Sequence, residues 1–287
     1  MTICASLADG MPVSVSKLPL APAAESRFPA SFRGWRLSLQ IMRFALAQMA
    51  DEISYRFQTI GRRTPPFHKD AARGHILPVH IPAELVEPFA QRARREGVTL
   101  NSALNAALLL SVNRHLYAGE KLPMRTFSFA DLRPHVEPPL HAENLGVYIS
   151  MLRYTVDVGG SFEFWSLARN LHNKIYASLK SGEKFAASAL SKSLLTMLTK
   201  LDSVRLCASA LNLHGTLPVR TNYGKIKVLA IHGFVSPHAF GPEMASQAQL
   251  FNDQLFWDFA YLEEDMNQDT AKAIVGEVEE IMKSAVK

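Results

Sequence analysis

The side chains that could do chemistry are few, and most stand alone. The ten histidines include no adjacent pair. His75, His80, His135, His141, His232 and His238 fall in strand ends or loops, where an imidazole can take or give a proton near neutral pH. Each, being single, reads first as a structural residue. His232 and His238 are the spaced pair of interest, but Gly-Phe-Val-Ser-Pro between them brings no third ligand, and two ligands do not hold zinc stably. Glu263, Glu264 and Asp265 read as a solvated acidic turn before the last helix. Neither a G-x-S-x-G nucleophile elbow nor a glycine-rich phosphate loop is present. The only cysteines, Cys4 and Cys207, make neither a disulfide framework nor a metal site and fit a reducing compartment. Two short polar elements remain. Asp131-Leu-Arg133-Pro ends an apolar run. Thr221-Asn222-Tyr223-Gly224 reads as a tight turn in which Asn222 and Gly224 both tolerate a positive φ.

These elements must be carried by regular structure, and periodicity places most of it. Thr99 is a helix cap, followed by Leu100, Leu104, Ala107, Leu108, Val112 and Leu116 at helical spacing, with Gly119 at the stop. Met124–Ala130 alternates aromatics between Pro123 and Asp131, which is a strand, and Leu145–Val158 is a second, longer one. Upstream, Trp35–Phe57 is an amphipathic helix with Leu37, Leu39, Ile41, Met42, Ala45, Leu46, Met49 and Ile53 as its apolar residues. The proline- and charge-rich Gly61–Gly74 cannot continue it. His75–Ile81 is a strand, and Pro82 opens a helix that runs to about Glu96 before Gly97. Ser161 caps a further helix that Gly182 breaks, and Lys184–Leu201 is helical in period. Leu217–Thr221, Lys225–Gly233, Ala248–Phe251 and Leu255–Leu262 are short strand candidates, and Asn267–Val286 is a closing helix capped by Asp269 or a neighbour. The order suits an α/β two-layer sandwich, a mixed sheet with helices on one side.

Composition narrows the function classes. With 287 residues, 48% hydrophobic, the chain can bury a substantial core. No apolar run is long enough to span a bilayer, and the N-terminus lacks the basic-then-apolar pattern of a secretory signal, so a cytoplasmic location is expected. The net charge of +5 is uneven, with +7 in residues 1–126 and −2 in residues 127–287. A basic side could meet an anionic partner such as coenzyme A, phosphopantetheine or an acidic carrier protein, or could be an ordinary solvated surface. Nucleic-acid binding has only charge in its favour, since exposed interleaved aromatics and any binding motif are missing.

The ordered set of helix 99–116, a strand ending in Asp-Leu-Arg-Pro, Asn144-Leu-Gly146 with a long strand, Thr-Asn-Tyr-Gly, and Gln254–Glu263 before a terminal helix resembles a known family. It is similar to the second half of the chloramphenicol-acetyltransferase-like acyltransferases, which include peptide-synthetase condensation domains, polyketide-associated acyltransferases and wax ester synthases. The resemblance covers roughly Pro65 to the C-terminus. It implies a leader (residues 1–34, expected to be flexible), a helix and linker left from the first half (35–64), and a condensation-like domain (65–287). The family's catalytic signature, His-His-x-x-x-Asp-Gly, belongs to the first half, and this chain has none. The resemblance therefore implies acyl transfer from a coenzyme A or carrier-protein thioester to a hydroxyl or amine, by a protein incomplete and inactive alone, with no catalytic residue and no metal of its own. It implies substrate contacts at Thr221 and Asn222, whose amide could orient a carbonyl or a pantetheine amide. Asp131 and Arg133 would be structural, an ion pair or backbone clamp near the active centre. No bound cofactor is expected; acyl-CoA or a phosphopantetheine thioester would be substrate. A carrier protein, the missing half or a second copy of the chain would be the partner. The alternative is a non-catalytic module that binds a carrier protein or an acyl chain.

Overall fold

The computed structural model describes residues 6, 9–12, 22–62, 68, 73–140, 144, 146–160, 163–198, 205–236 and 241–287. The expectations at Cys4, His141, Leu145, Ser161 and His238, and most of those in the leader and the Gly61–Gly74 linker, lie outside the described residues.

A six-stranded mixed sheet organises the chain. Its strands are β1 (Gly74–Ile81), β2 (Leu122–Asp131), β3 (Ile149–Val158), β4 (Ser209–Thr216), β7 (Met244–Phe251) and β8 (Gln254–Leu262). They lie in the order β1-β8-β7-β4-β2-β3, and a separate two-stranded hairpin pairs β5 (Asn222–Tyr223) with β6 (Ile226–Lys227). The central β2, β4 and β7 run parallel, and the outer pairs are antiparallel. β4 is the strand the sequence did not reveal. Its Ser-Ala-Leu-Asn-Leu-His has little alternation, because Ser209, Ala210 and Leu211 are buried between two parallel neighbours. Conversely, Leu217–Arg220 forms no strand, and of Lys225–Gly233 only Ile226–Lys227 does.

One face of the sheet carries the main core. Helices α2 (Ala83–Arg95), α3 (Leu100–Leu116), α4 (Phe164–Ser181) and α6 (Gln268–Val286) contribute to it together with Leu152, Tyr154, Val156, Leu255, Trp257, Phe259 and Tyr261. Helix α3 is buried nearly all round from Ser102 to Asn113, which explains its almost unbroken apolar sequence. The Thr99 hydroxyl accepts from the Ser102 N–H at its start, and Asn267 does the same for Thr270 at the start of α6, so the neighbour rather than Asp269 is the cap. Gly97 and Gly182 take positive φ where α2 and α4 end. Some polar groups within the core are matched: Thr126 donates to the Asn105 side chain at 3.0 Å, and Ser209 donates to Thr126 at 2.9 Å.

The opposite face is covered differently. Helix α1 (Gly34–Thr59) lies over β2 and β3, while α5 (Glu183–Leu198) meets both α1 and β3. Residues 228–236 run as a strap against β7 and β8. The end of the segment expected to be a flexible leader is packed: Ala24–Arg27 and Ala30–Phe32 form short 3₁₀ turns, and Phe28 is fully buried with Leu132, Val136, Tyr148 and Phe185. Irregular backbone anchored by two isolated aromatics, Phe28 and Phe32, leaves no periodic trace in a sequence, which is why this satellite core is not legible there.

Candidate functional site

Adjacent residues of a strand point to opposite faces, so while Thr126 joins the helix layer, Arg125 enters the other side. Arg125 is 3% exposed and bonds Asp51 at 3.1 Å and Glu52 at 2.8 Å. Its guanidinium lies 3.7 Å from the centre of the Tyr55 ring. Arg153, beside it on β3, approaches the same two carboxylates at 3.7 and 3.3 Å, and Thr155 donates to Asp51 at 2.9 Å. Burial pushes the Glu52 carboxyl up, but the hydrogen bond from Arg56 and the charges of Arg125 and Arg153 outweigh it and hold it below the usual carboxylate range. The C-terminal half of helix α1 is thus fastened to the sheet through charge, while Phe44 packs into the main core nearer its start. Its apolar residues Trp35, Met42, Leu46, Met49, Ile53 and Phe57 point the other way, each more than half exposed.

A buried carboxylate, Glu243, lies immediately before β7. Glu243 accepts from the Tyr117 hydroxyl at 2.7 Å and pairs with Arg205 at 3.3 Å, and Arg205 also bonds Asp265. Burial raises the Glu243 carboxyl against the opposing pull of Arg205. Burial also raises the nearby Cys207 thiol well above its ordinary value, so this cysteine is inert as a nucleophile.

The strap carries the third polar cluster. Asp258, on β8, is 1% exposed and faces the strap, not the core. Its Oδ1 lies 2.6 Å from His232 Nδ1, and its Oδ2 accepts from the Gly233 N–H at 2.9 Å and from Gln249 Nε2 at 3.2 Å. Gln249 also donates to the Ile231 carbonyl at 2.8 Å, so one carboxylate and one amide pin the strap to the sheet. Gly233 allows the close approach: a Cβ there would lie 2.5 Å from Gln247 Oε1. The His232 ring is 32% exposed, edge-on to Phe256 and parallel to Phe234. Asp258 was not singled out from the sequence. The available signal was one acidic residue inside the apolar run Leu255–Leu262, where a carboxylate needs a partner.

The four residues expected at the site fall into two separate pairs. Arg133 donates from its backbone and its guanidinium to Asp131 Oδ1, at 3.0 and 3.4 Å. It also reaches the Asn144 and Gly146 carbonyls and lies over the Tyr148 ring, closing the loop between β2 and β3. Asp131 lines a cleft of about 370 Å³ with Ser128, His135, His172, Tyr176 and Leu213. Burial there lowers the His135 imidazole. Thr221 and Asn222 lie at the β5–β6 hairpin instead. The Asn222 side chain is exposed and donates only to the Thr221 hydroxyl, at 3.4 Å, while Gly224 takes the positive φ of the turn. Among the described residues no hydrogen bond or ion pair joins the two pairs, and no group of three or more His, Cys, Asp or Glu could hold a metal ion. None of the described helices is long and apolar enough to cross a membrane.

Against known structures, the chain is similar to the trichothecene 15-O-acetyltransferase of Fusarium sporotrichioides (TM-score 0.68, 12% identity, 92% of this chain and 56% of that one). It is also similar to polyketide synthase associated protein 5 of Mycobacterium tuberculosis (TM-score 0.63, 15% identity, 97% and 67%). The first condensation domain of the calcium-dependent antibiotic synthetase gives a TM-score of 0.62 at 12% identity, over 99% and 61%. At these identities the likeness concerns the fold, and this chain spans between 56% and 67% of the three structures. No curated protein sequence matches it. A family model described as phthiocerol/phthiodiolone dimycocerosyl transferase C-terminus matches residues 80–230, from the end of β1 through α2, α3, β2, the Asp131–Arg133 clamp, β3 and the Asn222 hairpin. The chain belongs to that family and shares its fold with these acetyltransferase and condensation-domain structures.

Proposed function

We propose that this chain forms one wall of an acyltransferase that moves an acyl group from a coenzyme A or carrier-protein thioester to a hydroxyl or amine, and that transfer requires a segment bearing His-His-x-x-x-Asp-Gly. The observation that carries this reading is helix α1, whose ionic face is fastened to β2 and β3 while its apolar face stands in water. Large exposed apolar surfaces mark interaction sites, and a facing half would cover this one. On this reading half-buried Thr221 and exposed Asn222, at the hairpin, contact the thioester arm or the acceptor, and Asp131 and Arg133 hold the loop at the cleft mouth.

The test mixes the chain with a separately produced segment carrying the signature, an acyl-CoA donor and a panel of simple alcohols and amines. Acylated acceptor forms in the mixture and with neither component alone. A chain that acylates acceptors by itself, or mixtures that never do, would overturn the proposal. A non-catalytic carrier- or acyl-binding module is favoured by the cleft beside Asp131, whose lining includes Phe129, Leu152, Ile175 and Leu179. It predicts saturable binding of an acylated carrier with no turnover in any mixture.

A further inference from the structure

A pair of groups at the strap, His232 and Asp258, lies outside the residues that the family model matches. Asp258 is almost completely buried, and its oxygens are held by the His232 ring, the Gly233 N–H and the Gln249 amide. A buried carboxylate with several donors is a rigid acceptor. His232 Nδ1 faces it at 2.6 Å, so Nδ1 carries the proton as donor and Nε2 is the lone-pair nitrogen. The ring is 32% exposed, which leaves the imidazole open to a ligand while its partner is not. Phe256 meets the ring edge-on and Phe234 lies parallel to it. Ile226, Leu229, Phe234 and Val235 in the same segment are exposed apolar residues beside a polar reactive centre. A clamp alone would need the Gly233 and Gln249 bonds; it would not need an exposed imidazole held in one tautomer.

We propose that His232 and Asp258 form a general-base dyad through which this chain hydrolyses acyl thioesters that carry an apolar acyl group. The choice of a thioester rests on the acyl-transfer reading above; the dyad rests on its own geometry. His232 Nε2 takes a proton from water as the water oxygen bonds to the thioester carbonyl carbon. The tetrahedral adduct collapses, the carbon–sulfur bond breaks, and the imidazolium returns the proton to the departing thiolate, leaving a carboxylic acid and a thiol. Asp258 orients the ring and stabilises the imidazolium. The reaction needs no acceptor alcohol, no facing half and no metal ion.

The experiment incubates the full chain, alone, with octanoyl-CoA and measures released thiol. A positioned base contributes a factor of about 10² to 10⁴, so wild type exceeds the uncatalysed rate by that order. His232→Asn can keep a hydrogen bond to Asp258 through its amide but has no Nε2; it falls to background with an unchanged melting temperature. His232→Ala loses hydrolysis and regains it in added imidazole, a response that a purely structural histidine does not give. Wild type with no thiol release above the uncatalysed rate, His232→Asn as active as wild type, or folded His232→Ala that imidazole does not restore each overturns the proposal. Because no acceptor and no second segment are present, these outcomes are independent of whether the mixed transfer assay succeeds.

Discussion

Replacing Arg125 by Met should release helix α1 while leaving the sheet folded. The side chain is 3% exposed and bonds Asp51 and Glu52 while stacking on Tyr55. Breaking a fully buried pair costs about 3–5 kcal/mol, because the remaining charge stays buried. Here the two carboxylates are 32% and 29% exposed, and Arg153, Thr155 and Arg56 still reach them, so part of that cost is relieved by water and by the remaining partners. The cation–π contact adds roughly 0.5–2 kcal/mol. Methionine is an unbranched side chain of similar length, which keeps any cavity term small. A net loss of about 2–3 kcal/mol follows, borne by the α1–sheet contact; at 1.4 kcal/mol per decade the released helix becomes roughly 30- to 140-fold more populated. Hydrogen exchange reads this directly. Amides of residues 44–59 speed up by about that factor, while those of β7 and β8 do not change. Unchanged exchange in α1, or acceleration spread evenly over the sheet, would refute the view that charge fastens the helix.

The same contact should weaken in acid. The Glu52 carboxyl is held below its ordinary value in the folded chain, so its contribution is present above the unfolded carboxylate range and is lost as pH falls through the folded value; exchange of α1 amides should rise over that window, and Glu52→Gln should flatten the response. Self-association should run through the exposed stripe, so sedimentation across a concentration series should show oligomers that Leu46→Glu with Met49→Lys disperses; a wild-type monomer at high concentration speaks against the stripe as an interface. Phe28→Ala should cost about 3–5 kcal/mol by the usual price of an emptied aromatic site, seen as loss of the segment 22–33 from its protected state in exchange. Asn222→Ala should leave stability within about 0.5 kcal/mol, as expected at a surface position, and should lower transfer in the mixed assay if the hairpin meets substrate.

What the sequence revealed follows the strength of its periodicity. Helix α3 and strands β2 and β8 are built from long apolar runs with a clear start and stop, and each is found within a few residues of its expected place. Strand β4 is missed because burial between parallel neighbours removes the alternation that marks a half-exposed strand, and Ser, Asn and His in it look like loop residues. The sequence places the α4 cap at Ser161, outside the described residues, and the helix begins at Phe164 behind Glu163, which makes no side-chain capping bond. The absence of a capping signal there left the boundary to chance.

The polar clusters were harder for a different reason. A motif can be read when its partners are near in sequence, as with Asp131 and Arg133, two residues apart and in contact. His232 and Asp258 are separated by 26 positions, and Arg125 and Asp51 by 74, so nothing local connects them. Helix α1 shows the consequence most clearly. Its sequence is amphipathic, and an amphipathic helix ordinarily turns its apolar side to the core. Here the sheet presents Arg125 and Arg153 at the point of contact, and each removed from water requires a carboxylate. Asp51 and Glu52 supply them, so at this end of the helix the inner side is chosen by the need to pair two buried guanidinium groups, while Leu37, Ile41 and Phe44 pack inward nearer its start. The apolar stripe is left outside as a result. Its exposure is then not a failure of packing but a surface whose complement must come from elsewhere, and the strength of the ionic contact beneath it decides whether that surface is held rigid enough to be recognised.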